Sequence, residues 1–219
     1  MIEPHFTAAD TRTIEGWRRG KPIASDITMV VDIIRDKKEF RNILRKRISS
    51  MDENFLEISN LLIAKSVLSL PEIKACERVL IYCSMGREVD TRRLIDTLMK
   101  QGKAIALPVC EGEGIMHFSL LSPEGPKIEG MYGILEPAKD APVIVPKDGD
   151  VIVVPAMTFD RAGYRLGKGS GYYDRFLKKH NFFSIGLARD RLLFYCVPRE
   201  AHDMKVDCMV TDKEIARLP

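Results

Sequence analysis

Arg165-Leu166-Gly167-Lys168-Gly169-Ser170-Gly171-Tyr172-Tyr173-Asp174-Arg175-Phe176-Leu177 sets glycine at three alternate positions, near two cations, and follows them with two tyrosines and an aspartate. Glycines so spaced let backbone amides approach an anion with no Cβ in the way. The following residues, Tyr172 to His180, have a helical pattern, so a helix N-terminus with unpaired amides would face the same anion. Arg165 and Lys168 add charge-assisted donors, and Asp174 is a carboxylate suited to carrying Mg2+ near a phosphate. The stretch is not a Walker loop. With Gly167-Lys168 as its closing pair it would need glycine at 162 and Ser or Thr at 169, where Ala162 and Gly169 stand. Nor is it a dinucleotide fingerprint, which would need glycine in place of Tyr172 and a strand immediately before it. A glycine-rich surface turn is the plain alternative; the two cations and the carboxylate favour an anion cradle.

Around this stretch, short apolar runs alternate with polar, helix-like segments. Residues 79–84, 104–109, 116–121, 150–155, 182–188 and 206–211 are rich in β-branched and aromatic residues and read as strands. A helix is expected from Thr91 to Gln101, capped by Asp90 and closed by Gly102. This alternation predicts an α/β fold, an open and mostly parallel sheet flanked by helices, which places ligands at its carboxyl edge. Towards the N-terminus, Phe40, Ile43, Leu44, Ile48 and Met51 recur at helical steps. Ser50 to Glu53 fits a capping box, so two helices are expected, about 36–49 and 52–69, the second ending before Pro71. Residues 1–35 show no sustained period and form an arm of unassigned role; 36–219 are expected to make one domain. The proline- and glycine-rich segment 122–149 is long enough to be functional rather than merely connective.

Composition narrows the function classes. Hydrophobic residues make up 45% and charged residues 30%, and the formal net charge is only +3, so no whole-chain field argues for nucleic acid or membrane. No apolar run reaches a membrane span and the N-terminus lacks a secretory pattern, so a cytoplasmic protein is expected. Five scattered cysteines show no CxxC pair, and the four histidines no HExxH, which argues against a disulfide framework and a histidine-bound metal.

The opening stretch resembles the signature of the 5-formyltetrahydrofolate cyclo-ligase family, an Arg, alternate glycines, then Tyr-Tyr-Asp. Other segments match in the family's order: Lys37-Lys38-Glu39-Phe40-Arg41, Tyr82-Cys83-Ser84 with Glu88-Val89-Asp90-Thr91, Tyr132-Gly133-Ile134-Leu135-Glu136-Pro137, residues 153–160, and Asp203-Met204-Lys205-Val206-Asp207. The likeness runs from residue 37 to about 211.

The resemblance implies a Rossmann-like three-layer α/β/α domain of cyclo-ligase, CoA-transferase-like topology. It also implies ATP- and Mg2+-dependent cyclisation of 5-formyltetrahydrofolate to 5,10-methenyltetrahydrofolate, with release of ADP and phosphate. It assigns Lys37, Arg41, Arg165, Gly167, Lys168, Gly169, Ser170, Gly171, Tyr172 and Tyr173 to the nucleotide, with Arg165, Lys168 and Tyr172 at the reacting centre. Cys83, Glu88 and Tyr132, with Tyr172, would line the folate pocket, and Asp174 and Asp203 would hold Mg2+. On a helix Lys37 and Arg41 share one side at the margin of the apolar stripe, but the residues alone read equally as a solvated basic face. Two departures stand out: Ala156 where the family usually has glycine, and Arg189-Asp190-Arg191-Leu192-Leu193 where it usually has Phe and then Gln. They leave open an ATP-dependent enzyme with a different acceptor; a nucleic-acid-binding protein using the basic 35–47 helix is the more distant rival. The expected partner is a small molecule, with no nucleic acid or membrane, and the chain is expected to be a monomer, with a dimer as the alternative.

Overall fold

The computed structural model describes residues 36–112, 114–123, 128–129 and 135–218. The N-terminal arm and Tyr132 lie outside the described residues. Asp36 caps α1 (Lys37–Ser49) by accepting from the Lys38 amide at 2.7 Å. Helix α2 (Glu53–Ser69) is capped by Asp52, which accepts from the Phe55 amide at 3.1 Å. The expected capping box therefore does not form. Ser50 turns its hydroxyl back to the Arg47 carbonyl, and Glu53 pairs with Arg87. Pro71 ends α2 as expected, but its fixed φ also starts the short α3 (Pro71–Ala75) at the first helical position.

The six expected strands all form: β1 (Arg78–Ile81), β2 (Ala104–Gly112), β3 (Ile115–Leu120), β6 (Val151–Val154), β9 (Phe183–Leu187) and β10 (Cys208–Val210). Helix α4 (Arg92–Lys100) joins β1 to β2, and the long segment after β3 carries the paired β4 (Ile128–Glu129) and β5 (Leu135–Glu136). A hairpin of β7 (Thr158–Phe159) and β8 (Arg165–Leu166) leads through the glycine loop into α5 (Tyr172–Lys179). With β11 (Ile215–Arg217) the main sheet has seven strands in the order β11-β10-β9-β6-β1-β2-β3. β2, β1, β6, β9 and β10 run parallel; β3 and β11 are antiparallel borders.

Alternation along the strands sends side chains to two cores. Val79, Ile81, Val153 and Ile185 pack with Ile63, Val67, Leu94 and Leu98 of α2 and α4 on one face. Leu80, Ile152, Val154 and Met209 pack with Phe118, Phe159, Phe176 and Leu177 on the other. The β7–β8 hairpin lies close against the sheet: a Cβ added at Gly186 of β9 would sit 2.5 Å from the Phe159 ring. Helix α1 closes over the hairpin through Phe40, Leu44, Leu166 and Val197. From β1 the chain moves to β2 on one side and later returns at β6 on the other. The strand order therefore switches between β1 and β6, where sheets of this kind open a crevice at the strand ends.

Candidate active site

A cleft of about 730 Å³ opens at that switch point. Tyr82, Cys83 and Glu88 reach it from the end of β1, and Pro155 and Ala156 from the end of β6. Lys37 and Arg41 come from α1 and Asp203 from the loop before β10. Arg165, Gly167, Lys168, Gly169, Ser170, Gly171, Tyr172, Tyr173 and Asp174 form one continuous wall. Every expected site residue among the described residues thus lines one cavity, although they span more than 160 positions, from Lys37 to Asp203.

The three glycines are not equivalent. Gly169 has φ +121° and Gly171 φ +65°, conformations that side chains with a Cβ resist, whereas Gly167 has no such requirement. Gly171 is the N-cap of α5 and offers no side-chain acceptor, so the first amides of that helix have no side-chain cap. Two arginines grip the loop. Arg41 donates from Nε to the Gly167 carbonyl at 2.8 Å, and Arg175 donates to Gly114 at 2.9 Å and to the Ser170 carbonyl.

Lys37, Arg165 and Lys168 are each matched to a carboxylate on a different element. Lys37 Nζ is 2.8 Å from Asp203 Oδ2 and 3.1 Å from Glu200. Arg165 Nη2 is 2.8 Å from Asp174 Oδ1, and Lys168 Nζ is 2.6 Å from Glu88 Oε1. The Arg165 side chain is 4% exposed, and the contact with Asp174 is an ion pair without hydrogen-bond geometry, so Nε and Nη2 remain buried donors with no hydrogen-bonded acceptor among the described residues. Burial pulls the Arg165 pKa down, against the pull of Asp174. For Asp203, burial works upward, but the Lys37 hydrogen bond and the Glu200 amide outweigh it and hold the carboxyl below its ordinary range.

Asp174 Oδ1 also accepts from the Met204 amide at 3.2 Å, which brings it beside the segment that carries Asp203. No group of three or more His, Cys, Asp or Glu is arranged to hold a metal ion among the described residues. Two carboxylates on adjoining segments of a cation-lined cleft fit Mg2+, a hard ion that keeps waters and takes phosphate oxygens rather than filling a protein cage. The unpartnered Arg165 donors fit an anion.

Tyr173 packs edge-on against Phe118 at 6.4 Å and under Arg165 at 5.8 Å, its hydroxyl buried with no hydrogen-bonded partner among the described residues. Burial raises its pKa, and it raises the Cys110 thiol in the same wall to about 11, with Glu136 adding to the shift. Glu88 uses Oε2 to accept from the Met85 amide at 2.9 Å, closing its own turn, while Oε1 faces Lys168. Asp90 was expected to cap α4; Thr91 is the cap residue instead. Asp90 acts one position earlier, accepting from the Arg92 amide at 3.1 Å and the Ser84 hydroxyl at 2.8 Å. A second hollow of about 420 Å³ shares Met85, Glu88, Ala156 and Lys168 with the cleft and runs under α1 to Arg189 and Leu192. Sequence reasoning missed Glu200, Arg175 and the burial of Arg189; the four-residue spacing from Gly171 to Arg175 was the one available cue.

A mostly parallel α/β sheet with a cation-lined, glycine-walled cleft at its switch point is the architecture of an α/β enzyme with its ligand site at the strand ends. The model of the 5-formyltetrahydrofolate cyclo-ligase family matches residues 33–212. The 5-formyltetrahydrofolate cyclo-ligase of Escherichia coli K12 is 30% identical over 158 residues, 69% of this chain and 87% of that one. The solved 5,10-methenyltetrahydrofolate synthetase of Aquifex aeolicus superposes with a TM-score of 0.73 at 36% identity, over 83% of this chain and 92% of that one. The synthetase of Mycoplasma pneumoniae, 19% identical with a TM-score of 0.62, shares the fold. The chain belongs to the 5-formyltetrahydrofolate cyclo-ligase family and is an enzyme.

Proposed function

We propose that this enzyme uses ATP and Mg2+ to cyclise 5-formyltetrahydrofolate to 5,10-methenyltetrahydrofolate. The observation that carries the reading is the meeting, in one cleft, of the positive-φ glycine loop, the Arg165 donors without hydrogen-bonded acceptors and the carboxylates of Asp174 and Asp203 on adjoining segments.

A formamide oxygen is a poor leaving group. Phosphoryl transfer from ATP to that oxygen releases ADP; the second amine of the substrate then attacks the formyl carbon, gives up its proton to solvent or the departing phosphate, and phosphate leaves with the oxygen. Such chemistry asks the protein for position and charge neutralisation rather than a nucleophile. Lys37, Arg41, Arg165 and Lys168, with the amides of Gly167, Gly169, Ser170 and Gly171, hold the phosphates. Asp174 and Asp203 would hold Mg2+, which would supply neutralisation of phosphate charge. Glu88 accepts hydrogen bonds from the pterin N–H groups, and Cys83 and Tyr172 line the folate side. Tyr173 lines the nucleotide side with its buried hydroxyl.

The test is the absorbance of the methenyl product during incubation with 5-formyltetrahydrofolate, ATP and Mg2+. Product is expected only when all three are present, and is expected to vanish in Asp174→Asn. Protein that binds ATP yet makes no product would overturn the folate assignment in favour of another acceptor.

A further inference from the structure

We propose that Arg189 is a positioning residue for the acceptor side of the cleft, clamping the turn after β1 to α2 and so fixing where Glu88 presents its carboxylate. The inference rests on the reading above, in which Glu88 meets the folate.

Arg189 follows β9 and is 2% exposed, yet its four hydrogen bonds among the described residues all run to neutral oxygens. Two go to α2: Nε to the Ser59 hydroxyl at 2.9 Å and Nη2 to Asn60 Oδ1 at 2.8 Å. Two go to the turn: Nη1 to the Arg87 carbonyl at 3.0 Å and Nη2 to the Glu88 carbonyl at 3.1 Å. Asn60 Oδ1 also accepts from the Asp90 amide at 3.1 Å, so the turn is tied to the same side chain on its far side. A buried cation without a carboxylate partner is costly, and an apolar residue would fill the place with less penalty. What the guanidinium adds is a rigid planar fork that fixes several acceptors at once. Those acceptors include the main chain of Glu88 itself, whose side chain sits at the junction of the cleft and the second hollow.

Arg189→Gln, Arg189→Lys and Asn60→Ala are the variants. Amide hydrogen exchange of residues 85–90 and 167–171 reads the clamp; KM for 5-formyltetrahydrofolate and for ATP reads its consequence. Since ångström-scale misplacement costs up to about 100-fold, the folate KM should rise about tenfold in both Arg189 variants, with the ATP KM within about twofold. Exchange should quicken at 85–90 and not at 167–171. Asn60→Ala should move both readouts the same way by less, and it decides the matter if an Arg189 variant does not fold. The proposal is overturned if lysine restores the wild-type KM, since charge alone would then suffice. It is also overturned if both KM values drift together with a fall in Tm, or if exchange at 85–90 is unchanged. Wild-type protein with no cyclo-ligase activity would sink the folate reading and the positioning role built on it; the exchange result would still decide the physical clamp.

Discussion

Replacing the loop glycines one at a time by alanine should give three different proteins. At Gly169 the backbone sits at φ +121°, outside the left-handed well, and an added Cβ would meet the Arg41 guanidinium at 3.4 Å. Holding a non-glycine residue there costs about 1–3 kcal/mol. Gly171, at φ +65°, lies inside that well, where alanine costs about 1–2 kcal/mol. Its Cβ would also come within 2.9 Å of Arg175 Nη1, so Arg175 must shift and risk its bonds to Gly114 and Ser170. At Gly167 no positive φ is required and the nearest atom to a Cβ is Arg165 Nη1 at 3.4 Å, so the change should fall within about 0.5 kcal/mol. For a chain of this length about 2 kcal/mol corresponds to a Tm lowered by about 4–8 °C at positions 169 and 171. If the loop relieves its strain by opening, the same 2 kcal/mol appears as an ATP KM raised about 30-fold. Calorimetry and steady-state kinetics with both substrates separate the two routes. Three alanine variants of equal Tm and equal ATP KM, or a Tm loss greatest at Gly167, would refute the reasoning.

Asp174→Asn leaves the buried Arg165 without its counter-charge and should cost about 3–5 kcal/mol in denaturant unfolding. Adding Arg165→Met should restore much of that stability but no activity. Lys168→Ala should leave Tm unchanged, because that side chain is 62% exposed and such pairs are worth about 0–1 kcal/mol. Its ATP KM should nevertheless rise about tenfold or more, as expected for a lost charge-assisted bond; an unchanged KM would remove Lys168 from the phosphate site. Cys110, raised from 9.0 to about 11, carries about 100-fold less thiolate at pH 8 than an ordinary thiol. Its alkylation, followed by peptide mass spectrometry, should therefore climb until pH passes about 11. Because the folded state holds this proton more tightly than the unfolded chain, the linked stability is full below pH 9 and lost as pH rises through about 11. Rapid alkylation at pH 8 would contradict the burial.

The sheet was legible because its central strands are apolar on both faces, and runs such as Val151–Val154 need no partner to announce themselves. The C-terminal strand Ile215–Arg217 was not: its residues are half exposed, and only its pairing with Cys208–Val210 makes it a strand. Within the site, the opening stretch was legible through residue type and spacing as a glycine turn leading into a helix, and it lines the cleft. What stayed hidden was pairing across long separations. Lys168 with Glu88, and Arg189 with Ser59 and Asn60, join residues that no local pattern relates. Ser50 and Glu53 had the composition of a capping box, yet Arg87, distant in sequence, took the glutamate.

Gly186 lies outside the lining of the cleft, yet it sets the gauge of that part of the molecule. The Phe159 ring rests where a methyl group would otherwise stand, and Phe159 belongs to the hairpin that runs on into the loop. A single hydrogen at the floor thus fixes how high the loop rides above the strand ends. An alanine there would act as a shim, lifting the roof of the cleft while leaving every ligand-facing side chain chemically intact.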